Sequence, residues 1–289
     1  MGYSRTHTER RELNNYDANV MDAVKPASSH ILGVRVDPVS QQDLKTEIKR
    51  ILDAGEKRLF LNVNVNCLNQ ATEFSWLREF LNSAYLVFCD GYGVKVGGFL
   101  LGHHIPERIT FGDWIYPLSS FASEHGYTLF LLGAKPRVAE KAASRLQELN
   151  ADLRIVGTHH GYFDKTRDSI ENRRVIEIIN EARPHILLVC FGMPLQEQWL
   201  LENWESLDAN IAFTGGAVLD YVAGVLKRPP RWMTNSGLEW LGRLLIEPRR
   251  LWKRYLIGIP IFFWRILKQR VGLFDMSNVL TVSQHKPQK

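Results

Sequence analysis

The 289-residue sequence is poor in cysteine: Cys67, Cys89 and Cys190 stand far apart, and no CxxC spacing occurs. That argues against a zinc ribbon or a redox dithiol. Each thiol lies in or beside an apolar run, which reads as a buried group in a reducing cytoplasm. Long apolar runs are missing too. The longest candidate, Tyr255 to Trp264, is ten residues and carries Gly258 and Pro260, against the ~18–20 residues needed to span a bilayer. Residues 1–29 are polar, bear charges of both signs and lack an apolar h-region, so no signal peptide opens the chain. There is no internal repeat, no low-complexity block and no Asp-x-Asp pair. Enzymes that hold a nucleotide diphosphate through a divalent metal often use such a pair. If a diphosphate is handled here, cations or helix N-termini are expected to neutralise it, with no metal and no cofactor.

What the chain does have is an uneven distribution of charge. At 45% hydrophobic and 23% charged residues it can bury a core, and its net charge is +5. Between Lys227 and Arg270 stand eleven Lys or Arg and two acids, Glu239 and Glu247, a net +9, so everything outside that segment sums to −4. Four of the eight tryptophans, Trp232, Trp240, Trp252 and Trp264, fall there. Cations interleaved with amphipathic rings suit the headgroup zone of an anionic membrane surface.

Before that segment, short apolar runs alternate with longer amphipathic stretches. Strands are predicted at 59–65, 85–89, 128–132, 153–156, 185–191 and 210–213, and helices at 41–52, 67–82, 114–125, 136–149, 167–182, 194–204 and 217–223. This rhythm is that of an α/β fold with a mostly parallel, Rossmann-like sheet flanked by helices. Pro136 and Pro194 are placed in first helical turns. At Leu226 the rhythm stops. Arg228-Pro-Pro-Arg231-Trp232 breaks secondary structure, and helix resumes from Gly237 with punctuation at Glu247-Pro248. The organisation expected is a flexible tail over 1–29, a catalytic core over 30–226, a basic, aromatic, membrane-associating helical appendage over 227–270 and a second flexible tail over 271–289.

Ligands of open α/β sheets bind beyond the carboxyl ends of the strands, which selects a few polar residues. Asp90, in Val87-Phe-Cys-Asp90-Gly-Tyr-Gly93, follows an apolar strand and precedes glycines. It reads either as a general base, its pKa lifted by partial burial, or as the cap of the next helix. Asn62, Asn64 and Asn66 end the first strand, and Gly133 ends the third. Gln196 and Glu197 sit in the first turn of a helix, where they either bond a ribose, base or sugar or merely complement the dipole. Gly215 and Gly216 lead from strand to helix, as a diphosphate cradle or as a plain tight turn. Arg108 and Asp113 read as ligand groups or as surface and capping residues. His159 and His160 lack further ligands at workable spacing and read as loop histidines. Gly91-x-Gly93-x-x-x-Gly97 does not fit a dinucleotide fingerprint.

Taken together, from about Ile31 to Leu267, these windows resemble the WecG/TagA/CpsF family of bacterial glycosyltransferases. The elements occur in order: the Asn-rich strand end before Ala71, Asp90-Gly-x-Gly93, Glu107-Arg108-Ile-Thr110, Leu131-Leu-Gly133 with Val138-Ala-Glu140, and Ile155-Val-Gly157 with Gly161-Tyr-Phe163. Pro184-His-Ile-Leu, Gly192-x-Pro194-x-Gln196-Glu197, and Gly215-Gly216 with Ala223-Gly224 follow. The series ends with Arg228-x-Pro230-x-Trp232, Gly237-Leu-Glu239-Trp240-x-x-Arg243, Glu247-Pro248 and Arg254-Tyr255. The resemblance implies a metal-independent, inverting transfer from a UDP-sugar to a saccharide on undecaprenyl diphosphate, as in cell-envelope or exopolysaccharide synthesis. It casts Asp90 as the base, Asn64 and Gln196 as pocket residues, and Arg108 as a substrate-binding arginine. Arg228, Arg231, Arg243, Arg249, Arg250 and Arg254 become candidates for the diphosphate or the membrane. Asn62 stands where many members carry Thr, and Phe111 where many carry Gly.

The expected location is cytoplasmic, peripheral on the inner face of the plasma membrane. Two other readings of the basic segment are a nucleic-acid-binding module and a homo-oligomer interface. Against nucleic acid, the rings at Tyr255–Trp264 sit among aliphatics, which suits lipid better than stacked bases.

Overall fold

The computed structural model describes residues 28–274. Six parallel strands form one sheet: β3 (Arg58–Val63), β4 (Leu86–Cys89), β5 (Thr128–Gly133), β6 (Arg154–His159), β7 (Ile186–Cys190) and β8 (Ile211–Thr214), in the order β4-β3-β8-β7-β5-β6. All residues of β4, β5, β7 and β8 are buried, as expected for a parallel sheet covered on both faces. A hairpin of β1 (Ser29–Ile31) and β2 (Val34–Val36) stands apart from it. Asp37 follows the hairpin and covers the β4 edge. Its N–H donates to the Val87 carbonyl at 2.7 Å, and the Val87 N–H donates to Asp37 Oδ2 at 2.8 Å.

The helices divide between the faces. One apolar layer takes α2 (Val65–Glu73), α3 (Ser75–Ser83), α4 (Tyr92–Leu100), α7 (Ile170–Ala182) and α8 (Leu195–Asn203). The opposite layer takes α1 (Gln41–Asp53), α5 (Phe111–His125), α6 (Val138–Leu149) and α9 (Val218–Val222). Helix α1 shows how sequence sets an element. Ser40 and Asp43 form a capping box, and Leu44, Ile48 and Ile51 fall on the buried stripe.

Four helices follow, α10 (Arg231–Asn235), α11 (Glu239–Ile246), α12 (Pro248–Trp252) and α13 (Gly258–Arg270), with a π-helical turn at Lys253–Ile257. Pro248 sits at the start of α12, where a missing N–H costs nothing. Helix α13 packs on α2 and α4. Its Phe262 and Ile266 are buried in the same apolar layer as β3, and Asn69 Nδ2 donates to the Gly258 carbonyl at 2.7 Å. Among the described residues no helix is long and apolar enough to cross a membrane.

Several local expectations shift. The helix read over 67–82 is two helices, because Phe74 is extended at φ −113°, ψ 106°. Pro136 and Pro194 precede their helices instead of entering them. Helix α10 occupies part of the stretch read as a breaker. The hairpin and α4 had no counterpart in the sequence reading. Of the two expected tails, 1–27 and 275–289 lie outside the described residues, while Ser29 already belongs to β1.

Candidate functional site

Successive strands send their helices to opposite faces: β5 to α6 on one side, β7 to α8 on the other, β8 to α9 back again. Loops that diverge in this way open a crevice at the carboxyl edge. A cavity of about 860 Å³ lies there. Its floor is Ala134 and Lys135 after β5, Cys190 at the end of β7 with Phe191 and Gly192 after it, and Gly216 and Ala217 after β8. Tyr162, Phe163, Lys165, Leu195, Asp220 and Arg250 line the rest. Gly133 makes the close approach of β5 and β7 workable, since its φ is 147° and a Cβ there would stand 2.3 Å from the Cys190 carbonyl oxygen. Lys165 caps the Gly161 carbonyl and lies over the Phe163 and Phe191 rings. Burial lowers its pKa, against Asp164 and Glu171, which raise it.

Asp90 is not among the cavity's lining residues. It leaves β4, which β3 and β8 separate from β7, its N–H donating to the Val63 carbonyl at 2.8 Å. The reading of Asp90 as a helix cap does not hold: the cap of α4 is Gly91, at φ 118°, and no side chain bonds the first turn. As a residue Asp90 is half-buried. Asn62 Nδ2 donates to Oδ2 at 3.0 Å, while Oδ1 has no hydrogen-bond partner among the described residues. Burial pushes the carboxyl up to about 6, and Glu239 adds to the rise. Arg243, Arg254 and Arg108 pull it back. Asn62 is itself buried and fixed from behind, since Thr214 Oγ1 donates to its Oδ1 at 2.8 Å. The ends of β8, β3 and β4 are thus joined by one polar chain, and Thr214 leads directly into the Gly215-Gly216 turn beside the cavity.

The structure sorts the remaining candidates. Asn64 caps α2, its Oδ1 accepting from the Asn66 and Cys67 N–H groups at 3.0 and 3.1 Å. Gln196 is wholly buried and ties two loops, its Oε1 accepting from the Gly192 and Gly216 N–H groups, both at 3.1 Å. The Gly215 N–H donates to the Val189 carbonyl at 2.8 Å, so both glycine N–H groups serve the turn itself. Glu197 is wholly buried, with Oε1 bonded to Gln196 Nε2 at 2.8 Å and Oε2 without a partner. Burial pushes its pKa up to about 7, and the Gln196 bond pulls the other way.

Among the arginines, Arg243 and Arg254 lie near enough for their charge to act on Asp90. They pack on the Tyr221 and Tyr255 rings, at 5.8 and 5.6 Å, and neither forms an ion pair among the described residues. Arg243 Nε is buried without an acceptor. Arg108 Nη1 donates to Glu239 Oε2 at 3.1 Å, and Arg228 makes a two-pronged pair with Asp113. Arg250 reaches the cavity and pairs with Glu247 at 2.6 Å, whereas Arg231 and Arg249 are exposed. His159 packs tilted against His160 and edge-on to Phe163, and among the described residues no three His, Cys, Asp or Glu side chains converge as a metal site.

Sequence reasoning assigned no role to Glu239, Tyr221 or Lys165. The windows Gly161-Tyr-Phe163, close to Lys165, and Gly237-Leu-Glu239-Trp240 belong to the family resemblance but gave neither residue a role, and nothing local marked Tyr221. The arrangement offers a poised carboxylate, two guanidiniums whose charge reaches it and which form no ion pair among the described residues, and a cleft for a ligand of nucleotide size.

A protein of Staphylococcus aureus (strain NCTC 8325 / PS 47), an N-acetylglucosaminyldiphosphoundecaprenol N-acetyl-beta-D-mannosaminyltransferase, is 28% identical over 246 residues, covering 84% of this chain and 94% of the relative. Proteins of the same description from strains COL and MW2 match to the same degree. Residues 29–275 match the Glycosyl transferase WecG/TagA/CpsF family, and the chain belongs to that family.

Proposed function

We propose that this glycosyltransferase moves a sugar from a UDP-sugar onto a saccharide carried by undecaprenyl diphosphate, at the inner face of the plasma membrane. The observation that carries the reading is the pairing of a half-open carboxylate with guanidiniums that form no ion pair among the described residues. Asp90 Oδ1 is free to take a proton from the acceptor hydroxyl. The hydroxyl oxygen then attacks the anomeric carbon of the donor, and the bond to the diphosphate breaks on the opposite face, inverting the centre. The electron pair leaves with the UDP, whose charge Arg243 and Arg254 neutralise. Two arginines do here what a divalent ion does elsewhere, in keeping with the lack of an Asp-x-Asp pair. The cavity over β5, β7 and β8 takes the nucleotide, with the Phe163 and Phe191 rings available to the base. Holding donor and acceptor in line makes the encounter effectively intramolecular. The S. aureus relatives are described as acting on a diphosphoundecaprenol-linked N-acetylglucosamine, which supports a lipid-linked acceptor here.

The exposed surface of the C-terminal helices supports the membrane location. Trp232, Trp252 and Trp264 are 65%, 43% and 59% exposed. Lys253 and Arg249 flank Trp252, and Lys268 flanks Trp264.

The test is Asp90→Asn, assayed with a panel of UDP-sugars and lipid-diphosphate acceptors. The variant is expected to fold and bind UDP while losing transfer by ~10²–10⁴-fold, and the wild-type product is expected to carry the inverted anomer. Near-normal turnover in the variant removes Asp90 from the role.

A further inference from the structure

One carboxylate stands among the site's cations with no part in the transfer. Glu239 opens α11 and reaches back to the core, where Arg108 Nη1 donates to its Oε2 at 3.1 Å. The pair is largely shielded, the two side chains being 15% and 18% exposed. Arg228 Nη2 lies 3.9 Å from the other oxygen, Oε1, although its main partner is Asp113. The charged and titratable groups that face Glu239 are therefore Arg108, Arg228, Arg243, Tyr221 and Asp90. Among the described residues Arg243 and Arg254 form no ion pair with a carboxylate, so Glu239 is the acid that the site sets against its arginines.

We propose that Glu239 is a resident counter-ion: its carboxylate holds the place on Arg108 that a phosphate oxygen of the bound diphosphate takes, so the anionic substrate enters by exchange. The inference rests on the reading of Asp90 and its arginines as the transfer site. A guanidinium fork accepts carboxylate and phosphate in the same geometry, so one can replace the other without moving Arg108. Displaced Glu239 has a second cation at hand, since Arg228 is already within 4 Å of Oε1. The arrangement also selects. A singly charged anion gains little from a place it must clear first, whereas a diphosphate engages Arg108, Arg243 and Arg254 together and offsets the broken pair.

Calorimetric titration of the full chain with UDP and with inorganic pyrophosphate tests this. Glu239→Gln is expected to tighten both by about three- to tenfold, the range open to a partly shielded ion pair, and adding Arg108→Ala is expected to abolish the gain. In turnover, Glu239→Gln moves the acid limb of kcat/KM to lower pH, because a negative neighbour of Asp90 is gone. If Glu239 only orients Arg108, Glu239→Gln weakens both ligands, and that result overturns the inference, as does unchanged affinity. Should Glu239→Gln not fold, Glu239→Asp keeps the charge but draws it back from Arg108. A smaller tightening then supports the exchange, and none rejects it. Wild-type protein that binds neither UDP nor pyrophosphate overturns the transfer-site reading along with it.

Discussion

Asn62 holds Asp90 by one oxygen and leaves the other open: its Nδ2 donates to Oδ2 at 3.0 Å, while Thr214 Oγ1 fixes the far end of the same amide at 2.8 Å. An amide clamped at both ends cannot turn, so the carboxylate keeps one orientation. Removing the clamp should cost orientation and also ionisation, because a bond donated to a carboxylate favours its charged form. Asn62→Ala is expected to lower kcat on the order of ten- to a hundredfold with little change in KM for the donor. It should also move the acid limb of the rate profile to higher pH. Steady-state kinetics between pH 5 and 8 would check both effects.

The wild-type profile follows from the same carboxylate. Asp90 accepts a proton only when ionised, and burial, with help from Glu239, holds its pKa at about 6. Activity is then full above that value and falls as pH drops through it, rather than near the ordinary aspartate pKa of about 3.9. Measured kcat/KM against pH should show a single acid limb near 6. A limb near 4 would assign the proton transfer to another group.

Much of the fold was legible because its central strands are apolar runs buried on both faces. All six runs read from the sequence are strands of the one sheet. Elements escaped where that signal fails. The hairpin strands Ser29–Ile31 and Val34–Val36 are three residues each and alternate with His30 and Arg35. Helix α4 contains Gly93, Gly97 and Gly98, which depress helix propensity, yet Gly97 is where the Phe262 ring comes close. Asp90 stood out from the sequence because an acid at the end of an apolar strand is a local pattern. The Thr214–Asn62 and Arg108–Glu239 contacts join residues 152 and 131 positions apart, so no window of sequence contains them.

Glu197 carries a different pH dependence, one of stability. Its folded pKa is raised by burial to about 7 from 4.5, so the native state binds this proton more tightly than the unfolded chain does. The associated stability is fully present below about 4.5 and is lost as pH rises through 7. Glu197→Gln keeps the shape and removes the titration. At pH 8 the variant is expected to be more stable than wild type, by on the order of 1–3 kcal/mol, and at pH 5 the difference should shrink or reverse. Urea denaturation at the two pH values would measure it.

The proposed membrane face extends beyond the basic segment. Phe99, on α4, is 78% exposed and belongs to the helix on which α13 packs. Arg270 Nη1 donates to the Leu100 carbonyl at 2.6 Å, which brings the end of α13 next to that ring. Flotation with vesicles containing phosphatidylglycerol should show binding that weakens with salt, as screening of the lysines and arginines requires. Phe99→Ser and Trp264→Ser should each reduce the bound fraction several-fold, since burying a large apolar side chain contributes about 1.5–3 kcal/mol. Competing DNA should leave binding unchanged. Retention by DNA alone would favour a nucleic-acid partner for the same surface.

Gly133 ties the cleft to the sheet. It ends β5 next to Cys190, which ends β7; Cys190 and Ala134, the residue after Gly133, both line the cavity. A methyl group at Gly133 meets the Cys190 carbonyl oxygen at 2.3 Å and its carbon at 2.6 Å, both backbone atoms that cannot swing aside. The φ of 147° adds strain for any side chain. Gly133→Ala must therefore push β5 and β7 apart at the mouth of the cavity or distort the turn. The expected cost is about 2–4 kcal/mol, a fall in Tm of roughly 3–8 °C for a chain of this size. Nucleotide affinity should fall further than the stability loss alone implies, because the Ala134 and Gly192 backbones on either side of the cleft move with their strands. Thermal unfolding with and without UDP separates the two effects. A variant that unfolds earlier yet gains the wild-type increment in Tm from UDP would place the nucleotide away from this wall.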